Sequence, residues 1–139
     1  MIEFENVKTD KNHIIDVLDL YSDALIIAVQ PSCNIDKKIG SYRVALIYKE
    51  HRKTYEDTIT NITSANRCAL YGIIAAAKHI TRPIDVVLFV TCSYGIKRGL
   101  AGKGPNRDLV LMLMSILYNK GCKKVTEILA PGAGYWLLG

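Results

Sequence analysis

Apolar and polar residues along the chain follow strand-type and helix-type patterns in turn. Residues 24–29 and 84–91 are nearly continuous apolar runs of strand length, which is typical of strands covered on both faces. Within residues 42–48 the large apolar residues Tyr42, Val44, Leu46 and Tyr48 alternate with Arg43, Ala45 and Ile47, and a shorter run at 54–60 follows a charged turn. We therefore predict a buried strand at each apolar run. The two strands between these runs are predicted to pair with the first buried strand, so that three antiparallel strands follow one another along the chain.

Helical spacing begins after these strands. Thr63 and Ser64 are both suitable N-caps, and the apolar residues from there to Ile80 recur at i, i+3, i+4 and i+7. Pro83 prevents this helix from continuing. Three further elements are predicted in the order helix, helix, strand, at residues 93–100, 105–118 and 124–129.

The predicted order β-β-β-α-β-α-α-β restricts the fold class. A helix between two buried strands implies that they pair in parallel. We predict an α/β fold with a mixed five-stranded sheet, three antiparallel strands and then parallel strands, flanked by helices. The 139 residues are expected to form a single domain, with residues 1–22 as an N-terminal extension that contains a short helix at 12–21. After a turn at 131–134 no further helix is expected.

Charge and cysteine content narrow the function classes only slightly. The net charge of +5 suits contact with phosphate groups without requiring it. The four cysteines show no C-x-x-C spacing and no signal peptide precedes them, so we expect a reducing cytoplasm. The apolar runs are far shorter than the roughly 20 residues of a membrane span, and no membrane partner is expected.

Four short motifs lie at the ends of the predicted elements. Residues 66–70 (N-R-C-A-L) open the first long helix, and residues 91–100 (T-C-S-Y-G-I-K-R-G-L) follow the second buried strand. Residues 30–33 (Q-P-S-C) end the first strand, and residues 106–109 (N-R-D-L) begin the last helix. In this order the motifs resemble those of the ribonuclease H family, N-R-x-E-L, T-D-S-x-Y-V-x-x-G-I and D-G-S-C among them. The resemblance spans about residues 24–131 and implies a ribonuclease H-like fold.

The resemblance also implies where catalytic carboxylates would lie. Gln30, Ala69 and Cys92 occupy the positions at which the family has Asp, Glu and Asp. An amide, a methyl and a thiol do not replace the carboxylate oxygens that hold Mg²⁺. We therefore expect a pseudo-ribonuclease H that is not an enzyme and has no catalytic residues, metal or cofactor. A residual metal-dependent nuclease is the less favoured alternative.

Binding of a nucleic acid does not itself require those carboxylates. The resemblance places Asn66 and Ser93 at family positions near the minor groove and backbone of an RNA–DNA hybrid. Asn66 is also a favoured helix cap, a role that needs no ligand. Our leading hypothesis is that the chain binds an RNA–DNA hybrid or double-stranded RNA. The residues expected to contact it are Ser32, Asn34, Asn66, Arg67, Ser93, Lys97 and Arg98.

The last predicted helix has hardly any polar face and supplies the competing hypothesis. A helix that packs on one side only should carry polar residues on the other, so its extra apolar residues indicate a second cover. Together with the apolar C-terminus it predicts a homo-oligomer or protein partner, and hence an assembly module with no nucleic-acid role. The expected interface residues are Val110, Leu111, Met114 and Trp136. Degenerate ribonuclease H domains resemble the connection domains of retroelement reverse transcriptases, which suggests a mobile-element or viral context.

Overall fold

Six strands pair into one mixed sheet in the residues that the computed structural model describes, 2–91 and 95–138. In chain order the elements are β1 (Glu3–Lys8), α1 (Ile14–Asp19), β2 (Leu25–Asn34), β3 (Ile39–Tyr48), β4 (His51–Thr60), α2 (Ala65–Lys78), β5 (Val86–Thr91), α3 (Ile96–Leu100), α4 (Arg107–Asn119), β6 (Lys124–Leu129) and α5 (Ala133–Leu138). The strand order across the sheet is β1-β6-β5-β2-β3-β4. The strands β2, β3 and β4 are antiparallel, and β5, β6 and β1 add to β2 in parallel.

The sheet has six strands, so the prediction of five is wrong. The additional strand is β1, which pairs with β6 from Glu3 to Lys8 at the edge of the sheet. Its sequence E-F-E-N-V-K is short, four of its six residues are charged or amide, and it lacks the regular alternation of a strand with one buried face. An edge strand needs only one partner strand. Pairing with β6 therefore determines the conformation of β1 more than its own pattern of apolar and polar residues does.

The strand β2 extends farther than the apolar run at 24–29 predicts. It pairs with β5 only from Leu25 to Ala28, whereas its pairing with β3 continues to Asn34. Pro31 lies in the part of β2 that has a partner on one side only, where a missing backbone N–H is tolerated. The polar end of β2 therefore projects beyond the parallel strands as half of a hairpin.

Helices cover the sheet on both faces and enclose two core clusters. On one face α2 and α4 pack on residues such as Val29 and Phe89, and on the other α1 and α5 pack on residues such as Ala28 and Leu88. Phe89 and Leu88 are fully buried, and each such side chain contributes about 1.5–3 kcal/mol relative to an exposed one. At Gly72 a Cβ atom would lie 2.9 Å from Cγ2 of Val29, so the glycine lets α2 approach β2 closely.

A short helix follows the last strand, so the expectation of no helix after residues 131–134 is wrong. The helix α5 packs on β2 and β5 and contributes Ala133 and Leu137 to the second core cluster. Its apolar sequence gave no amphipathic pattern because it is only 6 residues long. Within the described residues, the helices are all too short or too polar to cross a membrane.

Candidate nucleic-acid interface

The first turn of α2 presents an exposed amide at the end of the sheet. Ser64 precedes the helix in an extended conformation, and its hydroxyl accepts a hydrogen bond from the backbone N–H of Arg67 (3.2 Å). Ser64 is therefore the N-cap. Asn66 lies within the helix and is exposed to solvent, so its amide is not used as the cap.

The neighbouring residue, Arg67, is held by the start of α4. Its guanidinium donates to both carboxylate oxygens of Asp108 (3.0 and 2.9 Å). It also donates to the carbonyl oxygen of Pro105 (3.2 Å) and to Oδ1 of Asn106 (3.3 Å), and it lies 5.8 Å from the ring centroid of Tyr71. Most of its hydrogen-bonding capacity is thus used within the chain. Arg67 fastens α2 to α4 and acts as a positioning residue.

The contact between Arg67 and Asp108 shifts the pKa of both groups. The hydrogen bonds from Arg67 lower the pKa of Asp108 from 3.8 to about 2, and the same contact raises the pKa of Arg67. The Asp108 side chain is 59% exposed, so solvent screens the attraction. The bidentate geometry nevertheless fixes the relative orientation of the two helix starts.

Ser32 and Asn34 lie in the projecting part of β2, and alternation along the strand turns both to the face opposite α2, whereas Cys33 between them faces α2. Both side chains are exposed. Oδ1 of Asn34 accepts a hydrogen bond from the N–H of Lys37 (3.1 Å) and so shapes the turn. A Cβ atom on Gly40, the partner of Cys33 in β3, would clash with Sγ of Cys68 in α2. The hairpin therefore packs directly against the first turns of α2.

The helix α3 carries two of the three basic residues predicted to contact a nucleic acid. Lys97 and Arg98 are exposed on it, and it begins at Gly95, whose φ of 80° lies in the left-handed region that favours glycine. A Cβ atom on Gly99 would lie 2.6 Å from Cβ of Val110, so α3 and α4 are in close contact. The positions of Lys97 and Arg98 are thus fixed relative to the start of α4.

Gln30 and Ala69 do not lie on the same face of the sheet. Ala69 is fully buried with α2 in the first core cluster. Alternation along β2 places Gln30 on the other face. There Arg43, its partner in β3, donates to the carbonyl oxygen of Leu138 in α5 (3.5 Å). Gln30 is half-buried between these elements.

The Mg²⁺ ion that the resemblance implies does not fit the described residues. Gln30 and Ala69 supply no anionic oxygen, and within residues 2–91 and 95–138 no three His, Cys, Asp or Glu side chains group together as a metal site requires. Cys92 and Ser93 lie outside the described residues.

A buried carboxyl group that the sequence did not point out lies beside the end of β5. Glu127 of β6 is 2% exposed. It accepts hydrogen bonds from Nδ2 of Asn6 (3.0 Å) and from Oγ1 of Thr91 (3.1 Å). Burial raises the pKa of Glu127, while the hydrogen bond from Thr91 opposes that shift. The sequence does contain a signal for this site, an acidic residue inside the mostly apolar strand 124–129. A carboxyl group buried there needs hydrogen-bond partners on neighbouring strands.

The residues predicted for a protein interface differ in their exposure to solvent. Val110 is fully buried against Gly99 and so faces another helix of its own chain. Met114 is half-buried and packs against the core. Leu111 is 51% exposed, and the side chain of Trp136 lies outside the described residues. Val110 and Met114 therefore serve mainly the packing of α4 on the domain.

Comparisons with known proteins address the family. No protein-family model matches the chain. The protein named Ribonuclease H from Shewanella amazonensis is 36% identical over 63 residues, which make up 45% of this chain. The match spans 40% of the length of that curated relative.

Two solved structures are similar over most of the chain. RNase H1 from the halophilic archaeon Halobacterium salinarum has a TM-score of 0.62 and 15% identity, covering 81% of this chain and 89% of that one. The N-terminal RNase H domain of a Mycobacterium tuberculosis protein has a TM-score of 0.63 and 11% identity, covering 81% and 86%. At these identities the two structures show the fold.

These findings confirm the resemblance and the α/β fold class, and they correct one expectation. The relative from Shewanella amazonensis bears the name of an enzyme, so the expectation that the chain is not an enzyme is wrong. That expectation rested mainly on the residue types at Gln30, Ala69 and Cys92, and a few motif positions do not define the class of the protein. The chain is ribonuclease H-like, in fold over most of its length and in sequence over the matched segment.

Proposed function

We propose that the chain binds an RNA–DNA hybrid at the surface formed by the first turn of α2 and by α3, and that double-stranded RNA is the related duplex it accepts. The observation that carries the proposal is the exposed amide of Asn66. Because Ser64 caps the helix, the Asn66 side chain is not needed for helix formation. The names of the similar proteins, all ribonucleases H, agree with a hybrid as the ligand.

The chemistry of the surface suits the wide minor groove of a duplex that contains RNA. An amide such as that of Asn66 exchanges hydrogen bonds with 2′-hydroxyls and base edges. The predicted contacts of Ser32 and Asn34 are not part of this surface, because both residues lie on the face of β2 opposite α2. Lys97 and Arg98 are exposed and suited to phosphate groups, which position a duplex without reading its sequence. A neutral amide flanked by cations thus favours a duplex with 2′-hydroxyls over double-stranded DNA.

Substitution of Asn66 tests the proposal. Asn66→Ala should weaken binding of a labelled RNA–DNA hybrid about 2- to 12-fold, the loss typical of one hydrogen bond. The matched control is Lys8→Ala, an exposed residue on the edge strand β1, which should leave binding unchanged. Equal affinity in the Asn66 variant and the native chain would remove the basis of the proposal. Product analysis of the same samples in Mg²⁺ measures whether bound hybrid is cut.

A second candidate function is assembly through α4. Leu111, Met112 and Tyr118 are 51%, 48% and 61% exposed, and Leu111 and Tyr118 lie seven residues apart and so share a helix face. A second copy of the chain would cover them. Leu111→Glu should then abolish a concentration-dependent oligomer in sedimentation velocity, while the control Leu20→Glu, at a residue 79% exposed elsewhere, should not. A native chain that is monomeric at all concentrations would exclude this candidate.

A cytoplasmic location is part of the same proposal. Cys33, Cys68 and Cys122 are free thiols, which agrees with a reducing compartment such as the cytoplasm. A mobile-element or viral origin rests on the resemblance of the motifs and stays a prediction.

A further inference from the structure

A second groove lies at the opposite end of α2 from the proposed hybrid-binding surface. Its walls are the turn between β3 and β4 and the loop that joins α2 to β5, and its volume is about 690 Å³. That volume is within the range of small-molecule sites. The 14 residues of α2 separate the two places by about 20 Å. The groove is therefore distinct from the surface described above.

The charge of the groove is predominantly positive. Its ionised lining residues are Lys49, Glu50, Arg52, Lys53 and Arg82. Nζ of Lys49 lies 3.8 Å from Oδ1 of Asp23, so its charge is partly neutralised. Arg52, Lys53 and Arg82 form no ion pair with any residue that the structure describes. A concave surface with one predominant sign of charge concentrates ions of the opposite sign, so the groove attracts anions.

An aromatic stack forms part of the same groove. The rings of Tyr55 and His79 are parallel within 7°, with their centroids 4.0 Å apart. His79 lines the groove, whereas Tyr55 does not, so the imidazole lies between the phenol ring and the cavity. Apolar side chains of Leu25, Leu46 and Ile80 also line the groove. A flat ring beside apolar surface and cations is the combination that receives a base together with its phosphate.

We propose that this groove binds a nucleotide, with the base stacked on His79 and the phosphate paired with Arg82 and with Lys53, which lies on the same face of β4 as Tyr55. The ligand chemistry is a base joined to a phosphate group, present both in free nucleotides and in a single nucleic-acid strand. An acidic peptide would use the cations but not the aromatic stack, and the stack is why a nucleotide is favoured. This site is independent of the proposed hybrid-binding surface, because neither His79 nor Arg82 belongs to that surface.

The test is fluorescence anisotropy with the full chain and a short fluorescein-labelled oligouridylate. His79→Ala and Arg82→Ala should each weaken binding about fivefold or more, the loss typical of one stacked base or a phosphate contact. His79→Phe should retain binding, because phenylalanine preserves the stack. Lys8→Ala is the matched control for loss of one surface charge. Arg82 is exposed in a loop, so its variant tests the site without disturbing the core.

Unlabelled competitors identify the ligand. Displacement by AMP assigns a free nucleotide, and displacement by unlabelled oligouridylate alone assigns a single strand; both results uphold the site. Displacement by pyrophosphate as effective as by AMP, with no loss in the His79→Ala variant, would reduce the groove to a general anion patch and overturn the proposal. Displacement by polyglutamate as effective as by the oligonucleotide would also overturn it. Asn66→Ala should leave oligouridylate binding unchanged, so failure at one site is separable from failure at the other.

Discussion

Arg67 and Asp108 form a bidentate ion pair that joins the first turn of α2 to the first turn of α4. Arginine is unfavourable in the first turn of a helix because the helix dipole is positive there, whereas aspartate is favourable. The ion pair with Asp108 in α4 therefore offsets the unfavourable interaction of the Arg67 charge with the dipole of α2. It also couples the helix that carries Asn66 to the helix on which α3, with Lys97 and Arg98, is packed. This relationship holds the proposed hybrid-binding surface together.

Loss of the Arg67 side chain should destabilise the chain more than neutralisation of Asp108. Arg67→Ala removes the contacts to Pro105 and Asn106 as well as those to Asp108, and we expect a melting temperature lower by roughly 3–5 °C. Asp108→Asn should lower it less, since an amide still accepts one hydrogen bond. Thermal unfolding at neutral pH, followed by circular dichroism, measures both. An equal melting temperature for Arg67→Ala and the native chain would show that the pair does not fasten the helices.

The same pair should give the stability a specific acid dependence. The pKa of Asp108 is lowered from 3.8 to about 2 in the folded chain, so the folded state binds fewer protons than the unfolded state between these values. The contribution of Asp108 is therefore fully present above about pH 4 and is lost as the pH falls toward 2. The difference in unfolding free energy between the native chain and Asp108→Asn, measured with denaturant across this range, should shrink as pH falls. A difference that is constant with pH would contradict the assignment.

Lys97 and Arg98 should determine part of the salt dependence of hybrid binding. The double variant Lys97→Ala, Arg98→Ala should weaken binding and reduce the slope of log affinity against log salt by about 2, because each lost phosphate contact reduces it by about 0.9. Lys8→Ala provides a control for the change in net charge. An unchanged slope in the double variant would place the phosphate contacts elsewhere.

Glu127 should make the chain less stable as the pH rises above 4.5. Burial raises the pKa of this carboxyl above its usual 4.5, so the folded state binds more protons there and stability falls as the pH increases. Glu127→Gln keeps acceptors and donors for Asn6 and Thr91 but does not ionise. The stability of the variant relative to the native chain, measured by denaturant unfolding from pH 4 upward, should therefore increase with pH. A relative stability that decreases with pH would show that Glu127 is ionised at low cost.

Gly99 should tolerate no side chain at the contact of α3 with α4. In Gly99→Ala the new methyl group would lie 2.6 Å from Cβ of Val110, and overpacking of this kind costs about 1–3 kcal/mol. Lys97→Ala, at an exposed position of the same helix, should change the unfolding free energy by less than about 0.5 kcal/mol. Urea unfolding of the two variants makes the comparison, and equal stabilities would refute the close approach of the helices.

The sequence predicts the centre of the fold better than its periphery. The apolar runs at 24–29 and 84–91 overlap β2 and β5, and the helical spacing after Ser64 corresponds to α2. Burial of a strand on both faces, or of a helix on one face, leaves a clear pattern of apolar residues in the sequence. The strand β1 and the helix α5 were not predicted. Both are six residues long, and contacts with distant elements determine their conformation rather than local pattern.

The candidate site was also only partly predictable from the sequence. The exposure of Asn66 agrees with its proposed role. The sequence alone could not decide whether Ser64 or Asn66 caps α2, because both residue types are good N-caps. The partner of Arg67 is Asp108, 41 residues farther along the chain, and no local pattern identifies such a contact. The groove around His79 also joins segments that are distant in sequence, the β3–β4 turn and the loop after α2. Sites assembled from separate elements become visible only in the folded chain.

The most direct test of the central claim is competition for a labelled RNA–DNA hybrid across a salt series in Mg²⁺ buffer. Unlabelled hybrid, double-stranded RNA, double-stranded DNA and single strands are the competitors, with the native chain and Asn66→Ala side by side. Unlabelled hybrid and double-stranded RNA should compete well, double-stranded DNA should compete poorly, and the preference should shrink in the variant. No binding at low salt, or equal competition by all duplexes with no effect of Asn66→Ala, would contradict the central claim.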